Sequence, residues 1–166
     1  MAILLQTLAL TAIIGLAKSC SITSHVKMTF FGFPDNDPAG PETAYNCGGR
    51  NNIAGGTGTY NDPLTCASDR IEFAQCELFY SPYLKKYLRV EDSCEGDDCN
   101  GDKTNGIAHI DIWTGSSSKD GGQAQLNCED DLTPDLSQTI IRAPQNDLGV
   151  DGKPNTDPAQ SNRSVR

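Results

Sequence analysis

The sequence predicts an all-β domain, a small barrel or sandwich, on three observations. Short segments of alternating apolar and polar residues recur between positions 26 and 142. Turn-rich stretches dense in Gly, Asp and Asn separate them, at 34–41, 47–58, 95–106 and 115–122. Seven cysteines in 166 residues, behind an export-type N-terminus, point to a fold stapled by disulfides. The length suits one domain and is too short for two with linkers.

Residues 1–19 read as a signal peptide. The run AILLQTLALTAIIGLA from Ala2 to Ala17 is apolar and ends in small residues, although no Lys or Arg precedes it. It is shorter than the roughly 20 apolar residues of a bilayer-spanning helix. It also lacks the amphipathic stripe of a buried helix. The chain is therefore expected to be secreted and extracellular. Removal of Lys18 with this segment makes the net charge of −9 one unit more negative.

The domain is expected over 20–142, with strands at 26–31, 77–80, 87–91, 107–113, 123–128 and 138–142. The fourth is the most regular: Ile107, His109, Asp111 and Trp113 share one face, and Ala108, Ile110 and Ile112 the other. Short helical turns are expected near 69–74 and 131–137. From 143 to 166 the chain is rich in Pro, Asn, Asp and Gly and reads as a flexible tail, carrying one sequon at Asn162-Arg163-Ser164. Cys20 lies at the cleavage junction. The other six cysteines allow 15 connectivities. The spacing permits a local Cys94–Cys99 bridge, with Cys47–Cys66 and Cys76–Cys128 as one completion.

Composition excludes several classes. A chain at −9 with a pI near 4.5 repels a phosphate backbone, so nucleic acid is not an expected partner. With 37% hydrophobic residues and a mean hydropathy of −0.44, a multi-span membrane protein is excluded. No metal or cofactor is expected. There is no Cys-x-x-Cys pair, and only His25 and His109 are present. Asp98, Asn100 and Asp102 have the first three spacings of a calcium loop. However, Lys103 stands where that loop needs Gly, and His109 where it needs Glu. The glycines at 48, 49, 55, 56 and 58 are not followed by the Gly-Lys-Ser/Thr of a phosphate loop; they suit a close backbone crossing. No Gly-x-Ser-x-Gly elbow is present.

Four segments occur in order: Thr29-Phe30-Phe31-Gly32; Gly55-Gly56-Thr57-Gly58-Thr59-Tyr60; Cys76-Glu77-Leu78; and Leu88-Arg89-Val90-Glu91-Asp92-Ser93-Cys94 followed by His109-Ile110-Asp111-Ile112. This order resembles the double-psi β-barrel of barwin, expansins, cerato-platanin-like proteins and family-45 endoglucanases. The resemblance covers about residues 26–128 and implies a six-stranded double-psi β-barrel with long loops. Phe33-Pro34-Asp35-Asn36-Asp37-Pro38, Gly56–Thr65 and Tyr83–Leu88 are further similar to a group of secreted fungal proteins that includes cell-wall muramidases. In one respect the chain departs from family-45 enzymes: these carry an Asp in the first strand, whereas here the nearest acids, Asp35 and Asp37, follow it.

Asp111 is the strongest catalytic candidate. A carboxylate between Ile110 and Ile112 in a strand is costly unless its face opens to a groove, and partial desolvation would raise its pKa toward that of a general acid. The resemblance places it on the catalytic or sugar-contacting Asp of a His-Phe-Asp strand. Asp92, Asp35 and Asp37 are candidates for the second carboxylate that glycoside hydrolysis uses; their plain alternative is turn chemistry. Tyr60, Trp113 and Tyr80 are candidate platforms for stacking a sugar, and His109 a candidate to hydrogen-bond sugar or tune Asp111. Asp62 and Glu77 are weaker candidates.

The expected function is hydrolysis of cell-wall polysaccharide by carboxylate acid/base catalysis in a monomer. Peptidoglycan is the leading substrate. Cellulose and a lytic transglycosylase chemistry are the enzymatic variants. The alternative class is a non-catalytic expansin- or barwin-like wall-binding or effector protein. Because acidic protein and anionic wall repel each other, activity should favour low pH or raised salt.

Overall fold

The computed structural model describes residues 19–94, 99 and 107–152. The expected signal segment up to Lys18, the Asp98-Asn100-Asp102 stretch and the sequon lie outside the described residues. The described residues form six strands, β1 (Ser21–Phe31), β2 (Leu64–Ser68), β3 (Leu78–Ser81), β4 (Lys86–Ser93), β5 (His109–Trp113) and β6 (Gln138–Arg142), and the helix α1 (Gly122–Leu132) lies between β5 and β6. They close into a barrel in the order β1-β5-β2-β4-β3-β6. β1 runs parallel to β5, and β2 parallel to β4; the remaining pairs are antiparallel. The expected all-β barrel is therefore what the chain forms.

Period-two alternation fills the interior. Val26, Met28 and Phe30 of β1, Leu88 and Val90 of β4, and Ile110 and Ile112 of β5 point inward with Cys66, Phe79 and Ile140. Their outward neighbours, Thr29, Arg89, Glu91 and Asp111, are polar. Register shifts in β1 between Thr23 and Val26, and in β2 between Cys66 and Ala67, bend those strands as closure requires. A second apolar cluster of Phe31, Ala54, Ala67 and Trp113 forms outside this interior.

The strands expected at 26–31, 77–80, 87–91 and 107–113 are present with shifted ends, and that at 138–142 with the ends expected. Two expectations are corrected. Residues 123–128 are helical, because their six-residue alternation of Gln, Ala, Gln, Leu, Asn and Cys suited either period. Residues 64–68 form a strand that the turn-rich flanks concealed. Near 69–74 a turn does form, with Glu72 and Phe73 amides donating to the Asp69 carbonyl.

The disulfides are Cys47–Cys76 and Cys94–Cys99. The local bridge is as expected; the pairings Cys47–Cys66 and Cys76–Cys128 are not formed. Cys66 points into the barrel and is fully buried, where desolvation and nearby carboxylates push its thiol well up and leave it inert. Cys128 is exposed on α1.

Residues 143–152, expected to start a flexible tail, pack on the β3–β4 hairpin. Tyr80 Oη donates to the Gly149 carbonyl at 2.5 Å and Tyr87 Oη to that of Gln145 at 2.7 Å, while the Leu148 amide donates to Tyr87 Oη at 2.9 Å. Buried phenols need partners, and this segment supplies them. Burial raises the pKa of both phenols.

The loop preceding β2 crosses close to it at Gly56, which has φ +102°; a Cβ there would lie 2.0 Å from the Pro63 carbonyl oxygen. Gly56→Ala is expected to destabilise the fold by about 2–3 kcal/mol through backbone overlap and the left-handed φ. Urea denaturation measures this directly; a loss below about 0.5 kcal/mol would show that the crossing is loose.

Candidate functional site

Asp111 sits at the middle of β5 with its side chain outside the barrel, paired in register with Thr29 of β1 and Ala67 of β2. Thr29 Oγ1 donates to Asp111 Oδ1 at 2.7 Å and lies 2.8 Å from His109 Nε2. A hydroxyl has one hydrogen, so with that hydrogen on Asp111 the imidazole donates from Nε2. His109, 3% exposed, is further held by its backbone amide, which donates to Glu72 Oε2. The strand thus delivers a short chain, His109 to Thr29 to Asp111, that fixes the Asp111 carboxyl.

Two more carboxyls converge on Asp111. After β1 the chain turns at Gly32, whose amide donates to Asp35 Oδ1 at 2.7 Å. That bond holds the exposed Asp35 carboxyl back over the end of β1, close enough for its charge to act on Asp111. From the other side, α1 contributes Glu129, the helix's one buried residue, 3% exposed. Glu129 Oε1 accepts from Gln125 Nε2 at 2.8 Å and from Thr114 Oγ1 at 3.1 Å, and the charge of Asp35 acts on the carboxyl.

The electrostatics follow from this crowding. Burial is the main cause that pushes Asp111 up to about 7, and the charges of Asp35 and Glu129 add to it; the Thr29 hydrogen bond opposes the rise. Glu129 is also raised, first by burial and then by Asp35, against its bonds from Gln125 and Thr114. The arrangement keeps one acid protonated near neutrality beside an exposed carboxylate, which is the equipment of proton transfer to and from a bound substrate.

The other candidates divide clearly. Asp92 faces the same Ala67 from β4, so two strand spacings, about 10 Å of sheet, separate it from Asp111. It is 7% exposed, and its Oδ1 accepts the amides of Ala44 and Ser93 at 2.9 Å each. Those bonds partly offset the rise that burial causes in its pKa. Asp92 therefore anchors backbone. Asp37 is exposed further along the loop, and the charge that acts on Asp111 from this loop is that of Asp35. Trp113 is 3% exposed, packed edge-on to Phe31 at 5.3 Å, and Tyr80 is 7% exposed. Neither presents an open ring face for stacking. Tyr60 is exposed and meets Tyr87 edge-on. Tyr87 precedes Asp92 by five residues, so Tyr60 stands about 16 Å along the barrel from the level of Asp111. Asp62 pairs with Arg50 and Glu77 with Arg142, both structural roles.

Glu129 was not legible as a candidate. It opens the run Glu129-Asp130-Asp131, which reads as a solvated acidic face. A helix through 122–132 would have placed Gln125 and Glu129 on one side, four residues apart. Among the described residues, Cys94, Cys99 and His109 are the His/Cys/Asp/Glu group close enough to share an ion, but the two sulfurs are bonded to each other.

Fold and site together define a disulfide-bearing six-stranded β-barrel with a half-buried strand carboxyl flanked by two others. The family model described as the DDB_G0273701 N-terminal domain matches residues 23–163, and the chain belongs to this family. It is 34% identical over 142 residues to a Dictyostelium discoideum protein named uncharacterized protein DDB_G0273701/DDB_G0273221. That alignment covers 85% of this chain and 60% of the relative, so the chain spans less than two thirds of the relative's length. No solved structure matches. No helix among the described residues is long and apolar enough to cross a membrane.

Proposed function

We propose that the chain is a secreted glycoside hydrolase of cell-wall polysaccharide, with peptidoglycan as substrate, Asp111 as general acid and Asp35 as its partner carboxylate. The observation that carries this reading is the Asp111 carboxyl, pushed up to about 7 and held by Thr29 beside the exposed Asp35. Below neutral pH, Asp111 holds a proton for the glycosidic oxygen. Asp35 takes a proton from the attacking water, or attacks the anomeric carbon itself, according to the separation of the two carboxyls around the bound sugar. The interleaved parallel pairs β1–β5 and β2–β4 are compatible with the double-psi arrangement expected from the resemblance. A barrel that only binds glycan would display aromatic faces. Trp113 and Tyr80 are buried, and the exposed Tyr60 stands well away from Asp111, which favours the chemical reading.

The test is release of new reducing ends from purified peptidoglycan by the mature protein. Activity is expected at pH 5, falling as pH rises through 7 and Asp111 ionises, and rising with moderate salt as charge repulsion is screened. Asp35→Asn is expected to lower kcat about 100-fold. Soluble products without reducing ends would replace hydrolysis by lytic transglycosylation, which needs one acid. No release from peptidoglycan or cellulose would overturn the reading in favour of a wall-binding protein.

A further inference from the structure

We propose that Glu129 is the positioning residue of this site: as a carboxylic acid it donates its proton to Asp35 and so fixes Asp35 opposite Asp111. The inference rests on the hydrolase reading for its kinetic consequences, but the hydrogen bond itself does not.

Glu129 is the one buried residue of α1. Its two oxygens are treated differently. Oε1 accepts two hydrogen bonds, from Gln125 and Thr114. Oε2 is buried without any partner, a costly state for an ionised carboxylate oxygen. Yet both carboxyls gather at Gly32, whose amide donates to Asp35 Oδ1 and whose Cβ position lies against Glu129 Oε1. Two ionised carboxylates cannot bond to each other, since both only accept. A proton on Oε2 resolves both facts: the orphaned oxygen becomes a donor, and Asp35 becomes its acceptor. The direction of the Glu129 pKa, upward, agrees.

The surroundings are built for this contact. Gln125 Nε2 also donates to Thr114 Oγ1 at 2.7 Å, so the residue that follows β5 is tied to α1 and the Glu129 side chain is held at both ends. Gly32 leaves the space for it. A Cβ there would lie 2.4 Å from Glu129 Oε1 and 3.2 Å from the Thr114 carbonyl oxygen, while the Gly32 amide supports Asp35. The titratable groups that face the pair are Asp35 from the loop after β1 and Asp111 from β5. When Glu129 ionises, its bond to Asp35 is lost and the two like charges repel. Asp35 then leaves its position, and turnover falls without loss of the fold.

Two variants and one titration test this. Glu129→Gln keeps the shape and presents an amide N–H to Asp35 at every pH. It should retain kcat within about threefold and extend activity to higher pH, up to the limit set by Asp111. Glu129→Ala should lower kcat at least tenfold with KM within about twofold. A merely structural Glu129 would lower stability in both variants and leave the pH profile unmoved, and that result would overturn the proposal. Carboxyl-carbon NMR of the resting protein reads the bond without substrate. Glu129 should stay protonated above the ordinary glutamate range and move down toward it in Asp35→Asn. Ordinary titration of Glu129 would overturn the bond even in an active enzyme. A Glu129 that is raised and moves down in Asp35→Asn, in a protein that cleaves no glycan, would uphold the bond and overturn the hydrolase reading alone.

Discussion

Asp111→Asn is expected to lower peptidoglycan turnover about 1,000-fold while making the protein more stable at neutral pH. The first effect is the loss of a positioned general acid. The amide can still accept the Thr29 hydrogen bond, so the site keeps its shape and loses only the proton. The second effect follows by linkage. The folded pKa of Asp111 is raised to about 7 from an ordinary 3.8. Below pH 4 both states carry the proton, and the residue costs nothing. Between about 4 and 7 the unfolded chain gives up its proton while the folded one keeps it, so stability declines as pH rises. The accumulated penalty is on the order of 3–4 kcal/mol by pH 7.5. Glu129 and Asp92, also raised, contribute with the same sign. Urea unfolding of both proteins at pH 4 and pH 7.5 measures this: the variant should gain only at the higher pH. Equal stabilities at both would show that Asp111 titrates normally and could not serve as the acid. A stable variant with undiminished turnover would remove Asp111 from the chemistry.

Glu91→Ala is expected to destabilise the barrel by about 3–5 kcal/mol, with no direct effect on the Asp111 group. Glu91, 4% exposed on β4, accepts Arg50 on Oε2 and Arg89 on Oε1, both at 2.5 Å, and also the Thr65 hydroxyl. Arg50 further reaches Asp62 and the Pro63 carbonyl. Its Nε is already buried without a partner. Deleting the shared carboxylate leaves two mostly buried guanidinium groups facing each other, and the loop that carries Arg50 loses its tie to β2 and β4. Chemical denaturation of the variant measures the loss. A cost below about 1 kcal/mol would show that both arginines swing into solvent. Glu91→Gln, which keeps the Thr65 bond and loses the charge, should fall between the two.

Much of the barrel was legible because period-two patterning is a direct image of a two-sided strand. The 107–113 segment showed its inner face, Ile110 and Ile112, and the odd carboxylate between them. The 138–142 strand was found with its observed ends. What failed had physical reasons. The helix at 122–132 has a weak apolar stripe, and its one buried side chain is charged, so neither period could claim it. The strand at 64–68 is five residues between turns, too short for alternation to emerge. Cysteine pairing depends on three-dimensional proximity that spacing does not encode, beyond the adjacent Cys94 and Cys99. At the site, Asp111 and Asp35 were visible as acids in improbable or loop positions. Asp92 looked equivalent until its amide partners were seen. Glu129 stayed hidden because its meaning depends on which face of a helix meets β1.

The packing of residues 143–152 has a consequence for anyone dissecting this chain. The composition suggests a cut after Arg142, where the last strand ends. A fragment cut there would uncover two phenols whose hydroxyls are matched to carbonyls of the removed piece, and would strip the outer wall from the hairpin that carries them. The folded unit therefore extends well past its final strand, through the segment that partners these phenols, and a version cut after Arg142 would report on an injured barrel.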